Sequence, residues 1–261
     1  MSLRFFQRPT AVVASPAQTR ERIAVTLDDG RRVEVLRVRD ARAKRIKLSV
    51  SERGARLTLP LRASVVAGDR FLAEHREWLS SQLARLAVAS EATLEPGRAD
   101  ALPLRGEAVP LRWERGRFVR LRLDDDGVHG ALPDAPSDAA WRRALRDFYE
   151  AQARADVGRW LPRYLPSLPR APRRVQFKRM SSQWGSLSPD GTVALDLSLV
   201  LGPPDAFEYV LVHELCHLIH HDHSPRFWHE VEARCPDWKR HRTYFREDGR
   251  ALKATLQALV G

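Results

Sequence analysis

The stretch Ala206–Trp228, AFEYVLVHELCHLIHHDHSPRFW, decides how this chain of 261 residues is read. Tyr209, Val210, Leu211, Val212, Leu215 and Leu218 make a helix that is apolar on most sides and therefore buried. Inside it stands His213-Glu214-Leu215-Cys216-His217, an H-E-x-x-H motif. Four residues make about one helical turn, so both imidazoles project from one face, roughly 6 Å apart, at adjacent corners of a tetrahedral Zn²⁺ site. Glu214 lies about 100° further round the helix. It flanks the face and is better suited to act as a general base on water than as a ligand.

A catalytic zinc commonly takes three protein ligands and keeps one position open. The candidates for the third are His220, His221, His223, Glu230 and Glu232. His220 and His221 would lie a further turn along the same helix, whereas His223 falls at an expected helix end, before a Ser224-Pro225 helix start. His223 is favoured, with Glu230 or Glu232 as the fallback. His229 and His241 are expected to support the site or face solvent, and Cys216 to lie in the core.

Outward from this stretch, Asp205 is the expected cap of the motif helix, and Val193, Leu195 and Leu197 alternate in a strand before it. That strand, Thr192–Leu197, is read either as a sheet edge able to bind substrate by strand addition or as a core strand. Val175 and Phe177 begin another strand, and Pro162, Pro166, Pro169 and Pro172 suggest an extended connector before it. Ser137 caps a helix with Trp141, Leu145, Phe148, Ala151 and Ala155 on one face. Earlier, a β-hairpin is expected within Arg32–Pro60, one helix over 64–87, a loop from Ser90 to Ala101, and a second β-rich block through Trp113 and Leu123. The expected class is α+β. A β-rich domain with one helix would cover residues 1–136, and a zincin-like domain, its H-E-x-x-H helix packed on a small sheet, residues 137–261.

The formal charge of +11 is concentrated: residues 1–50 carry a net +7 and residues 151–200 a net +5. Arg37, Arg39, Arg42, Lys44, Arg45 and Lys47 form one basic stretch, and Arg170, Arg173, Arg174, Lys178 and Arg179 another. Such stretches permit nucleic-acid binding, although they are more often solvated faces. Only five of the 44 basic residues are lysine, which also fits a genome that favours arginine. No run of eighteen apolar residues suggests a membrane span, and the N-terminal apolar stretch is too short for an export signal. A cytoplasmic location is expected, with Cys216 and Cys235 as reduced thiols.

His213–Trp228, HELCHLIHHDHSPRFW, preceded by Lys178–Leu187, KRMSSQWGSL, resembles the YgjP-like metallopeptidases, relatives of the SprT and WLM proteases among the gluzincin-like zinc peptidases. The family pattern runs approximately K-S-R-W-G-S-C, a strand with L-N, then H-E-L-C-H and H-S-x-x-F-W. The resemblance implies His213, His217 and His223 as zinc ligands and Glu214 as the catalytic glutamate, with Trp184, Gly185 and Ser186 supporting the site. Gln183, Leu187 and Asp196 depart from the pattern, which has Arg, Cys and Asn there.

The implied activity is hydrolysis of a peptide bond by a metal-activated water, with peptide or protein as substrate, including proteins associated with DNA. The alternatives are a zinc-stabilised basic nucleic-acid-binding module and a zinc amidase acting on a non-protein substrate. Tyr244 and His229 are the candidates for an oxyanion donor, and neither is assigned.

Overall fold

The computed structural model describes residues 20–51, 54–90 and 93–261. It is a mixed α+β structure with three sheets and seven α-helices among these residues. The chain divides into two compact units, residues 1–84 and 85–261. The boundary expected near Pro136 falls inside the second unit.

In the first unit, β1 (Arg20–Thr26) and β2 (Arg32–Asp40) form an antiparallel hairpin, followed by β3 (Lys47–Ser51) and β4 (Gly54–Pro60). The sheet order is β1-β2-β4-β3, with β2 and β4 parallel. The expected hairpin is thus β3–β4, and β1 is a further strand that the sequence reading did not anticipate. Its turn closes at Gly30, whose φ of 81° suits glycine. The expected single helix is broken at His75 into α1 (Val65–Glu74) and α2 (Arg76–Ser90). The Ser64 side chain caps α1 by accepting the Ala67 N–H at 3.0 Å. Gly68 brings α1 close to the sheet, since a Cβ there would lie 2.9 Å from Leu59 Cδ2.

The second unit has two sheets. The strands β5 (Ala101–Leu104), β6 (Glu107–Arg115), β7 (Arg120–Asp124) and β8 (Gly127–Leu132) are ordered β5-β6-β8-β7. Against them runs α3 (Asp138–Tyr164), capped by Ser137 through the Ala140 N–H. Trp141, Leu145, Phe148, Tyr149, Ala153, Val157 and Trp160 form its buried face. Ala151 and Ala155, expected on that face, are exposed because the 3.6-residue repeat carries the stripe to Ala153 and Val157. The helix continues through Pro162, so the extended connector is shorter than expected.

The other sheet, ordered β10-β11-β9, contains β9 (Arg174–Lys178), β10 (Gly185–Leu187) and β11 (Thr192–Asp196). β11 is central and buried at every position; it is a core strand, and β10 and β9 are the edges. Leu197 opens a 3-10 turn rather than extending β11. Then come α4 (Pro204–Cys216), α5 (Pro225–Arg234), α6 (Trp238–Glu247) and α7 (Gly249–Val260). The N-cap of α4 is Pro203, and Asp205 lies in its first turn, where an acidic group complements the helix dipole. One apolar core joins Leu102, Leu111, Leu145, Phe148, Leu195, Leu211 and Leu215.

Candidate metal centre

The motif helix is fixed by burial before any ligand is considered. Ala206, Phe207, Tyr209, Val210, Leu211, Val212, Leu215 and Cys216 are all buried, leaving the last turn to present His213 and Glu214. α4 ends at Cys216 and His217 is its C-cap, so His220 and His221 do not extend the helix. The chain turns through residues 218–224, and His223 comes back just ahead of α5.

The three imidazoles of His213, His217 and His223 come together, each offering a ring nitrogen within 4.8 Å of the others. His213 Nε2 and His223 Nε2 are 3.1 Å apart. Bonds of about 2.0–2.1 Å to a tetrahedral ion would separate ligand nitrogens by about 3.3 Å, so this donor set fits a zinc-sized ion. His217 Nδ1 lies 3.0 Å from the His220 carbonyl; donation there leaves Nε2 with a free lone pair, the usual support of a metal-binding histidine. His213 Nδ1 is buried without a hydrogen-bond partner.

Aromatic rings wall the cluster. Phe227, fully buried, stacks on His217 at 4.4 Å, while the Trp228 ring centroid lies 5.7 Å from His213 and 5.9 Å from His223. Trp228 stacks in turn on Trp238 at 4.3 Å. Desolvation by this wall holds His213 down at about 3, helped by His217, His223 and Arg242, and lowers His217 as well. Both rings are therefore neutral at neutral pH, the form that binds a metal. Arg242, whose guanidinium stands 5.3 Å from the Trp228 ring, was missed in the sequence because nothing in its spacing links it to the motif.

Glu214 is 6% exposed, and burial pushes its carboxyl up to about 8. The Leu187 N–H opposes that shift by donating to it. Gly185 lies so close that a Cβ would sit 2.6 Å from Glu214 Cγ and Oε1. Glycine at 185 is thus required by close approach, with no unusual φ. Asp196 N–H donates to the Trp184 carbonyl at 2.8 Å and Ser188 N–H to the Thr192 carbonyl at 2.9 Å. The alternation of an antiparallel ladder then turns the N–H and C=O groups of Gly185 and Leu187 outward.

The other candidates lie elsewhere. Glu230 pairs with Arg234 at 2.5 Å and Glu232 with Lys239 at 3.8 Å. His229 is exposed, and His241 is buried against Tyr209, their ring centroids 5.8 Å apart. Tyr244 lies against Gly202 and Phe245. Cys216 is a buried free thiol, pushed up to about 12 by burial, and Cys235 is a half-buried one. In the basic stretches, Arg37 pairs with Glu21 and Asp69, and Arg39 donates to the Leu61 and Ala63 carbonyls. Arg173 pairs with Asp190, and Arg179 donates to the Gly261 carbonyl. No helix among the described residues is long and apolar enough to cross a membrane.

Comparison with known proteins gives a family. The YgjP-like, metallopeptidase domain family matches residues 44–248. No functionally curated protein matches the chain. Among solved structures, the crystal structure of the metallopeptidase zymogen of Pyrococcus abyssi abylysin is similar at 23% identity and a TM-score of 0.26, covering 39% of this chain and 93% of that one. Membership of the family implies a hydrolase that uses a metal ion, usually zinc, on peptide or protein substrates. With a match over more than three quarters of its length, the chain belongs to the YgjP-like metallopeptidase family.

Proposed function

We propose that this chain is a zinc-dependent peptidase in which His213, His217 and His223 hold one ion and Glu214 is the general base. The observation that carries the reading is the convergence of three imidazoles beside one buried carboxyl. A bound zinc supplies a water of near-neutral acidity and an electrophile for the scissile carbonyl.

The chain's own residues do the rest. The His220 carbonyl holds the His217 ring in the tautomer that frees Nε2. The Leu187 amide aims the Glu214 carboxylate, which is itself buried. Glu214 takes the proton of the attacking water and delivers it to the leaving amine. With the Leu187 N–H engaged by Glu214, the outward N–H and C=O of Gly185 and the C=O of Leu187 offer an extended peptide a strand to pair with, so the substrate-binding edge is β10 and not β11.

Glu214→Gln keeps the shape and removes the proton acceptor. The variant is expected to retain its metal while cleavage of a fluorogenic peptide library falls by about 10²–10⁴-fold. Cleavage at the parental rate would exclude Glu214 as the base.

A further inference from the structure

The last helix reaches the site through the short edge strand. Lys253, on α7, donates through Nζ to the Asp196 carboxylate at 2.8 Å, to the Gln183 carbonyl at 2.8 Å and to the Met180 carbonyl. The same ammonium stands 4.3 Å from the Trp184 ring centroid. Asp196 is 2% exposed and accepts the Met180 N–H at 2.6 Å, the Ser198 N–H at 3.0 Å and the Ser198 hydroxyl. Trp184 is also packed against Phe245 at 4.6 Å, and a Cβ on Gly249 would come within 2.5 Å of its ring. Phe245, Gly249 and Lys253, four residues apart, thus grip the residue that precedes Gly185.

We propose that Lys253 is a positioning residue for Glu214: it clamps residues 180–184 and so fixes β10 against the catalytic carboxyl. This rests on the reading of Glu214 as the base. A buried ion pair is weak grounds for stability by itself, because desolvating both charges offsets much of their attraction. A lysine retained only for such a pair would need Asp196 alone. Lys253 instead makes its remaining contacts with one segment, Met180, Gln183 and Trp184. β10 has only three residues, so the segment entering it sets where Gly185 and Leu187 stand. Both of them touch Glu214. α7 lies beyond residues 44–248, the part of the chain matched to the family.

The test uses the full chain loaded with zinc. Lys253→Met leaves the Asp196 carboxylate without its cation; the Asp196→Asn/Lys253→Met pair, which strands no charge, guards against simple misfolding. Amide hydrogen exchange over residues 180–188 is expected to quicken at least tenfold in both variants, with α4 unchanged and one equivalent of zinc retained. Peptide cleavage is expected to lose kcat by about ten- to a hundredfold, since displacement of a catalytic group by about 1 Å costs that much, with KM changed less than threefold. Unaltered exchange in the folded pair variant, loss of zinc, or a change confined to KM would overturn the proposal. If the parent cleaves no peptide, the exchange data still decide on the clamp, and only the peptidase reading fails.

Discussion

At the scale of single residues, His213 and Glu214 are neighbours whose proton affinities burial moves in opposite directions. In the metal-free chain Glu214 keeps its proton up to about pH 8, against 4.5 for an ordinary carboxyl, so the folded state binds the proton more tightly. This contribution to stability is complete below about pH 4.5 and is lost as pH rises through 8. His213 stays neutral in the fold down to about 3, against 6.5 ordinarily, so it costs stability as pH falls from 6.5. The two slopes oppose each other between 4.5 and 6.5; above 6.5 only that of Glu214 remains. The metal-stripped protein is therefore expected to lose Tm between pH 6.5 and 8.5, and Glu214→Gln to remove that slope. Thermal scans at the two pH values check this, and a slope that persists in the variant would refute the assignment.

At the scale of elements, the strand β10 carries the site's least obvious requirement. Its Leu187 N–H faces outward, so proline at this edge position gives up no ladder bond but removes the donor that Glu214 accepts. Leu187→Pro is expected to keep its zinc and its Tm within a few degrees, yet to cleave peptides at least tenfold more slowly. Full activity in the variant would show that the amide does not matter.

β10 also marks the limit of what was legible in the sequence. His213, His217 and His223 could be picked out because helical spacing and a helix restart are local signals. That Glu214 shares the buried end of α4 was legible for the same reason. That β11 is central and β10 an edge was not, because sheet order is set by long-range pairing and leaves no period in the chain. The 64–87 periodicity was right about the type of structure but blind to the break at His75. The strand β1 has no buried position and only Ile23 and Val25 partly covered, so its alternation gave little signal.

At the scale of the whole molecule, the sheet β5–β8 belongs with the metal centre. Leu102, Leu104, Leu111 and Val128 share one core with Trp141, Leu145 and Phe148 of α3 and with Leu211 of α4. Cutting at the boundary first expected, near Pro136, would strip that face of α3. Deleting buried leucine and isoleucine side chains costs about 2–5 kcal/mol apiece, so losing the whole sheet exceeds the stability of an ordinary domain. A fragment of residues 137–261 is expected to be unfolded by circular dichroism, and a fragment of residues 93–261 to melt cooperatively. A folded, zinc-binding 137–261 fragment would contradict this account.

The most direct test of the central claim is elemental analysis of the purified chain beside His217→Ala and His223→Ala. One equivalent of zinc in the parent, and its marked loss in both variants, is the predicted result. A parent that takes up no zinc even after reconstitution, or a His223→Ala variant that keeps a full equivalent, would contradict the three-histidine site.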